Sequence, residues 1–288
     1  MSELKRIAVI GAGTMGHGIA QIAAQSGLVA VLHDRDPEAL ERGMAGIRNG
    51  LDRLTVKGKL AADEVQEILA RVRAETDIAA AVRGAQIVVE AVPENLELKQ
   101  TVFRGLEPHA AADTILATNT SSLPVGRIAE AVSTPHRVVG MHFFNPVPVM
   151  PLLEIVQAAR TSHETVERVV GAGIRLGKEC IVVRDSPGFA TSRLGVALGL
   201  EAIRMLEAGV ASAEDIDKAM TLGYRHPMGP LRLTDLIGLD VRLDIARHLR
   251  KALDSEVFAP PPLLERLVGE GKLGKKTGQG FYAWTAST

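Results

Sequence analysis

The 288-residue chain holds a single cysteine, Cys180, so no internal disulfide can form. No Cys/His cluster has the spacing of a zinc site either, so the staples of small secreted domains are missing, no metal is expected, and a reducing, cytoplasmic compartment is. Charge of one sign is also missing. Lys and Arg total 33 against 34 Asp and Glu, a formal net charge of -1, which gives no basic excess to hold the chain on nucleic acid or an anionic membrane surface. Long hydrophobic runs are absent. The most apolar stretch, residues 138–153, is broken by Pro146, Pro148 and Pro151, and the N-terminus passes from one charged turn straight into a strand pattern. Neither a membrane span nor a signal peptide is expected.

What is present is enough for a full core: 46% hydrophobic against 23% charged residues excludes a disordered or collagenous chain, and the length favours two domains. From Arg6 to about Val183, seven β-branched runs (RIAVI, VAVLH, QIVVE, TILAT, RVVGMHF, LLEIV and CIVV) alternate with helical patterns. That alternation predicts parallel strands joined by crossover helices. After DSPGF, residues 185–189, the strand runs stop, and GVALGLEAIRMLEAG, ASAEDIDKAM and LDVRLDIARHLRKAL all have helical period. The expected architecture is an α/β Rossmann-like domain over 1–185 and an all-α domain over 186–288. Pro37 to Arg73 is too long for an ordinary βα connection and is expected to form a helical hairpin standing off the sheet.

The strongest motif is G-x-G-x-x-G, where Gly11, Gly13, Thr14, Met15 and Gly16 lie between the strand IAVI and a helical run. Small residues let the backbone approach a pyrophosphate, and the helix N-terminus offers unpaired N–H groups. Asp34, ending the next strand, can accept from ribose hydroxyls and repel a 2'-phosphate, which points to NAD over NADP. The chain has only four asparagines, and three of them (Asn95, Asn119, Asn145) fall just beyond successive strands. Amides rationed in this way suggest a binding cleft. PENLELK (93–99) and TNTSSL (118–123) lie at those strand ends; each also reads as ordinary capping or turn chemistry.

In HFFNPVPVMPLLEIV, His142 ends one strand and Glu154 enters the next. Histidine suits proton transfer near neutral pH, and a buried carboxylate would fix its tautomer, so this pair is the candidate acid/base machinery. Cys180, mid-strand with no visible base, is expected to be an inert buried thiol. Lys275 and Lys276 form a solvated turn before a C-terminal aromatic anchor.

Taken together, VIGAGTMGHGIAQ, PENLELK, TNTSSL, HFFNPVPVMPLLEIV, DSPGFATSRL, HPMGPLRLTDLIGLD and KKTGQGFYAW resemble the L-3-hydroxyacyl-CoA dehydrogenase family over nearly the whole chain. The resemblance implies NAD-dependent oxidation of an L-3-hydroxyacyl-CoA, such as 3-hydroxybutyryl-CoA, to the 3-ketoacyl-CoA, a reaction of fatty acid metabolism, by a homodimer joined through its C-terminal domain. It makes His142 the base and Glu154 its partner. It places Ser121 and Asn145 at substrate and nicotinamide, gives Glu94, Lys99 and Lys276 further NAD contacts, and sets Lys57 against CoA. The family has an Asn in its PGF-x-x-N-R pattern where this chain has Ser192, and some relatives carry a CoA-contacting Ser where it has Gly50. Two other readings fit the same residues: a dehydrogenase of a free hydroxy acid or sugar acid, and a non-catalytic NAD-binding structural protein.

Overall fold

The structure, a computed structural model, describes residues 4–284 and divides into two units, the first ending at Ser186 and the second beginning at Pro187. The first unit runs β1 (Arg6–Ile10), α1 (Thr14–Gln25), β2 (Val29–His33), α2 (Pro37–Val56), α3 (Ala62–Ala70), β3 (Val72–Glu75), α4 (Ile78–Val82) and β4 (Ile87–Glu90). It continues with α5 (Leu96–Leu106), β5 (Ile115–Thr118), α6 (Val125–Ala129), β6 (Val138–Phe143), β7 (Leu152–Gln157), α7 (His163–Arg175) and β8 (Glu179–Arg184). The strands form one sheet in the order β3-β2-β1-β4-β5-β6-β7-β8. Helices on both faces bury β4, β5 and β6 at every position, and this is why these strands read as unbroken apolar runs.

Two features depart from the sequence reading. The sheet has an eighth strand, β3, inside the segment expected to be wholly helical; VRAE is a charged, two-sided edge strand and carries no apolar run to announce it. The other departure is direction: β6 pairs β7 antiparallel, whereas the remaining pairs are parallel. The proline-rich connection between β6 and β7 is too short for a crossover helix, so the chain can only turn back on itself.

The helical hairpin does form, but it does not stand clear of the core. Leu40, Ile47 and Leu51 of α2 are buried in the main hydrophobic cluster. α2 reaches α1 through its small residues: a side chain at Gly43 would meet the Ala12 carbonyl at 2.8 Å, and one at Gly50 would collide with the Gln21 amide.

The regular elements of the second unit are helices, followed by a C-terminal segment of turns and isolated β-bridges: α8 (Thr191–Glu207), α9 (Ala213–Lys218) continuing into a π-helical turn at Ala219–Gly223, α10 (Pro230–Ile237), α11 (Leu239–Leu253) and α12 (Pro262–Gly269). Its core gathers Val196, Leu200, Ile203, Leu231, Leu239, Leu243 and Leu249. The aromatic C-terminal segment is anchored by buried Asp235, which accepts from the backbone N–H of Phe281 and Tyr282 and from Trp284 Nε1 at 2.8–2.9 Å. Among the described residues no helix is long and apolar enough to cross a membrane.

Candidate active site

The glycine motif does what its spacing requires. Gly11 has φ +103°, and a Cβ there would meet the Ala91 carbonyl oxygen at 2.8 Å, so only glycine lets β1 turn so close to the end of β4. Gly16 presses directly on the Gly11 carbonyl, whereas nothing lies within 4 Å of the Cβ position at Gly13. Two glycines thus fix the turn and the third leaves a space. Gly13 caps α1 without a side-chain bond, so the first-turn N–H groups face that space with their partial positive charge.

The space belongs to a cavity of about 960 Å³ lined by Gly11, Gly13, Met15, Asp34, Val92 and Pro93, among others. That is the size of a large cofactor site. Asp34 Oδ2 accepts from Ala12 N at 2.9 Å, which ties the acid to the glycine loop and leaves it half-buried at the cavity wall. His33 beside it is buried, and burial holds its pKa below the usual value although the Thr76 carbonyl and nearby acids favour its charge. These residues fit a dinucleotide: Gly13, Thr14 and Met15 would take the pyrophosphate and Asp34 a ribose.

Further along the same sheet edge, His142 and Glu154 are direct register partners on antiparallel β6 and β7. Nδ1 of His142 lies 2.8 Å from Glu154 Oε2, with Glu154 fully buried and His142 only 6% exposed. The contact fixes the tautomer: Nδ1–H donates to the carboxylate, and Nε2 carries the lone pair. Phe144 packs against the imidazole with ring centroids 4.4 Å apart. The antiparallel turn back is therefore the element that builds the dyad.

A second buried cluster stands at the end of β4. Lys99, 1% exposed, donates to Glu90 Oε1 at 2.8 Å and to the Val92 carbonyl at 3.3 Å, and pairs with Glu94 Oε2 at 3.3 Å. Glu90 also accepts from Thr118 Oγ1 and Val92 N, both at 2.7 Å. Glu94 Oε1 gathers the TNTSSL turn, accepting from Thr120 Oγ1 at 2.7 Å, Ser121 N at 2.9 Å and Ser122 N at 3.1 Å. Burial disfavours the Glu94 charge, yet Lys99 and these donors outweigh it and lower its pKa; for Glu90 burial wins and the pKa is raised. Lys99 thus hydrogen-bonds Glu90 and the Val92 carbonyl and pairs with Glu94, the acid that holds the turn carrying Ser121.

The amides divide similarly. Asn95 caps α5 by accepting from Leu98 N at 2.9 Å, and Asn119 accepts from Phe143 N at 2.9 Å, tying the end of β5 to the end of β6. Asn145 is exposed in the turn after β6. That turn is held by a residue the sequence did not reveal: buried Lys178 donates to the carbonyls of Val147 at 2.6 Å and Met150 at 2.7 Å. Glu90, equally unforeseen, had a visible signal as a lone charge ending an apolar strand. Lys57 is exposed at the end of α2. Cys180 is half-buried, with burial pushing its thiol pKa up. In the second unit Lys276 is not simply solvated: its ammonium pairs with Asp240 at 2.6 Å, while Ser192 lies half-buried in the first turn of α8.

A cofactor cleft and a carboxylate-oriented histidine on one sheet edge define the site of a dinucleotide-dependent oxidoreductase. Profiles for known families agree: the 3-hydroxyacyl-CoA dehydrogenase NAD binding domain matches residues 6–186 and the 3-hydroxyacyl-CoA dehydrogenase C-terminal domain matches 188–284. The chain is 43% identical over 286 residues to a probable 3-hydroxybutyryl-CoA dehydrogenase of Bacillus subtilis, covering 99% of both chains. It is 43% identical over 288 residues to the human mitochondrial hydroxyacyl-coenzyme A dehydrogenase, covering 98% of this chain and 91% of that one. The crystal structure of (S)-3-hydroxybutyryl-CoA dehydrogenase PaaH1 from Ralstonia eutropha matches with a TM-score of 0.94 at 38% identity, over 98% of this chain and all of that one. The chain belongs to the 3-hydroxyacyl-CoA dehydrogenase family.

Proposed function

We propose that the protein is an NAD-dependent dehydrogenase that interconverts L-3-hydroxyacyl-CoA and 3-ketoacyl-CoA. The observation that carries this reading is the buried His142–Glu154 pair on the sheet edge that also carries the dinucleotide cleft. NAD, when bound, supplies a nicotinamide that accepts or returns hydride at C3 of the substrate. His142 Nε2 takes the proton of the C3 hydroxyl during oxidation and gives it back during reduction. Glu154 stabilises the imidazolium that forms in between, and its full burial makes that stabilisation strong.

Ser121 and Asn145 orient the reacting oxygen and the nicotinamide. Ser121 is presented by the Glu94-bound turn, and Asn145 by the turn that Lys178 holds. Lys57 meets the CoA phosphates and Ser192 the thioester end of the acyl group. Glu94, Lys99 and Lys276 act on the cofactor through the turns and pairs they hold. A homodimer through the second unit is supported by its exposed Leu194, Leu222, Tyr224 and Val241, which a monomer leaves in water. A single cysteine supports a cytoplasmic setting.

The test is a steady-state comparison of 3-hydroxybutyryl-CoA with free 3-hydroxybutyrate, each with NAD and NADP. Oxidation of the thioester with NAD, and not of the free acid, is expected. Turnover of the free acid at equal kcat/KM overturns the thioester reading, and no turnover of either overturns the dehydrogenase.

A further inference from the structure

Glu94 Oε1 is approached by more donors than one oxygen can serve. Five reach it: Thr120 Oγ1 at 2.7 Å, Ser121 N at 2.9 Å, Ser122 N and Ser122 Oγ at 3.1 Å, and Ser121 Oγ at 3.3 Å. A carboxylate has about four lone-pair sites over its two oxygens, so Oε1 has about two to give. Oε2 is turned to Lys99, at 3.3 Å. The backbone N–H groups of Ser121 and Ser122 are fixed by the turn, and Thr120 Oγ1 is held in place by the N–H groups of Ser122 and Leu123, from which it accepts. The two serine hydroxyls are the donors that can rotate, and they compete for what remains.

The competition has an order. An O–H···O bond is best at about 2.7–2.8 Å, so at 3.3 Å Ser121 Oγ makes the weakest of the five contacts, and Ser122 Oγ is the nearer of the two hydroxyls. Glu94 is a strong acceptor, because Lys99 and its other donors favour the charged carboxylate over the opposing effect of burial. A hydrogen bond to a charged oxygen is about twice as strong as one between neutral groups. A vacancy on Oε1 would therefore draw the Ser121 hydroxyl inward, away from the neutral oxygen of a substrate.

We propose that Ser122 is a positioning residue for the dehydrogenation: its hydroxyl fills Glu94 Oε1 and so releases the Ser121 hydroxyl to the C3 oxygen of the substrate. The proposal deepens the dehydrogenase reading and rests on Ser121 meeting that oxygen. As the thioester arrives, Ser121 Oγ rotates from Glu94 to the C3 oxygen and Ser122 Oγ tightens on the carboxylate. No proton leaves either serine; one weak contact is exchanged for two better ones. Without Ser122 the same rotation takes a charge-assisted bond from Glu94 and gives nothing back, so part of the interaction with the C3 oxygen is consumed in offsetting it.

The experiment is a double-mutant cycle on the full chain: wild type, S121A, S122A and S121A/S122A, with S122T as the variant that keeps a hydroxyl. Each is assayed for NAD-dependent oxidation of 3-hydroxybutyryl-CoA, for NADH binding by fluorescence and for thermal unfolding. S122A is expected to lower kcat about tenfold with a smaller change in KM and unchanged NADH binding. S122T should recover most of that rate, and in the S121A background the S122A change should cost less than about twofold. A wild-type rate in S122A overturns the proposal. So does a loss of the same size in the S121A background, which means that Ser122 acts on its own. A loss that S122T does not restore, or that comes with matching falls in thermal stability and NADH binding, makes Ser122 part of the fold of the turn and overturns the proposal too. If S121A oxidises the thioester as the wild type does, the place of Ser121 falls and this proposal with it, while the dehydrogenase stands; if the wild type itself oxidises no thioester, the dehydrogenase reading falls first.

Discussion

The His142–Glu154 pair and the Glu90–Lys99 pair at the core of the Glu94 cluster lie along one edge of one sheet, are similarly buried, and are held by contacts of the same 2.8 Å length. They differ in what remains after those contacts are made. Lys99 lies between two carboxylates and the Val92 carbonyl, a fully buried ammonium held by opposite charge. His142 meets Glu154 through Nδ1, and an imidazole can take up and release a proton at its other nitrogen. Burial with full mutual satisfaction makes scaffold, whereas burial that fixes one face of a two-faced group makes a reagent.

The largest expected effects set these two clusters against each other. His142→Gln keeps the shape and removes the titrating nitrogen, so kcat should fall by about 10² to 10⁴ with thermal stability and NADH binding nearly unchanged. Glu154→Gln should take away much of the same rate, since an amide neither selects the tautomer nor stabilises imidazolium. Lys99→Ala should do the reverse. It leaves the buried Glu90 carboxylate without its cation, a loss of about 3–5 kcal/mol in urea unfolding, and activity should decline because Glu94 loses its partner and the Ser121 turn loosens. A stable, inactive Lys99→Ala would erase the distinction and give Lys99 a direct part in the reaction.

A smaller effect comes from a third carboxylate, at the opposite edge of the sheet. Burial opposes the charge of Glu107, but the backbone and hydroxyl donors of Ser133 and Thr134 outweigh it and bring its pKa down to about 2. The folded pKa is lowered, so this group stabilises the fold above its unfolded value of about 4.3 and the contribution is lost as pH falls toward 2. Stability measured from pH 6 to pH 2 should fall over that window, and Glu107→Gln should be less stable at pH 6 with a shallower acid slope. An unchanged slope in the variant would show that other acids, Glu94 among them, carry the acid sensitivity.

These contrasts also mark what could be read from the chain before folding. The glycine loop with Asp34, the His142 and Glu154 pairing and the change from strand to helix period near Ser186 were legible, because each is a local pattern with one dominant physical cause. β3 was hidden because an edge strand needs no apolar run. Asn95 and Asn119 were legible only as polar groups just beyond strands, because sequence spacing says nothing of the backbone N–H groups that each accepts from once the chain folds. Lys178 was hidden for a related reason: its burial and its carbonyl partners exist only once distant segments meet.

The smallest expected effect concerns two serines that the family resemblance places at the substrate. Ser121 stands in a turn whose backbone and hydroxyls are gathered by Glu94, so its position is set to within hydrogen-bond tolerance before any substrate arrives. Ser192 stands alone in the first turn of α8, shorter by an amide than the Asn of the family pattern, and a shorter group reaches the same oxygen through a bridging water at little enthalpic cost. Preorganisation therefore favours Ser121. Ser192→Ala should cost less than about tenfold in kcat/KM, equivalent to about 1.4 kcal/mol, and Ser121→Ala should cost more. Both are measured with the same thioester at fixed pH, with thermal unfolding to exclude misfolding. If Ser192→Ala is the more damaging, the hydroxyl of α8 does what the Glu94-held turn was credited with, and the scaffold of the first comparison supports less of the chemistry than its geometry suggests.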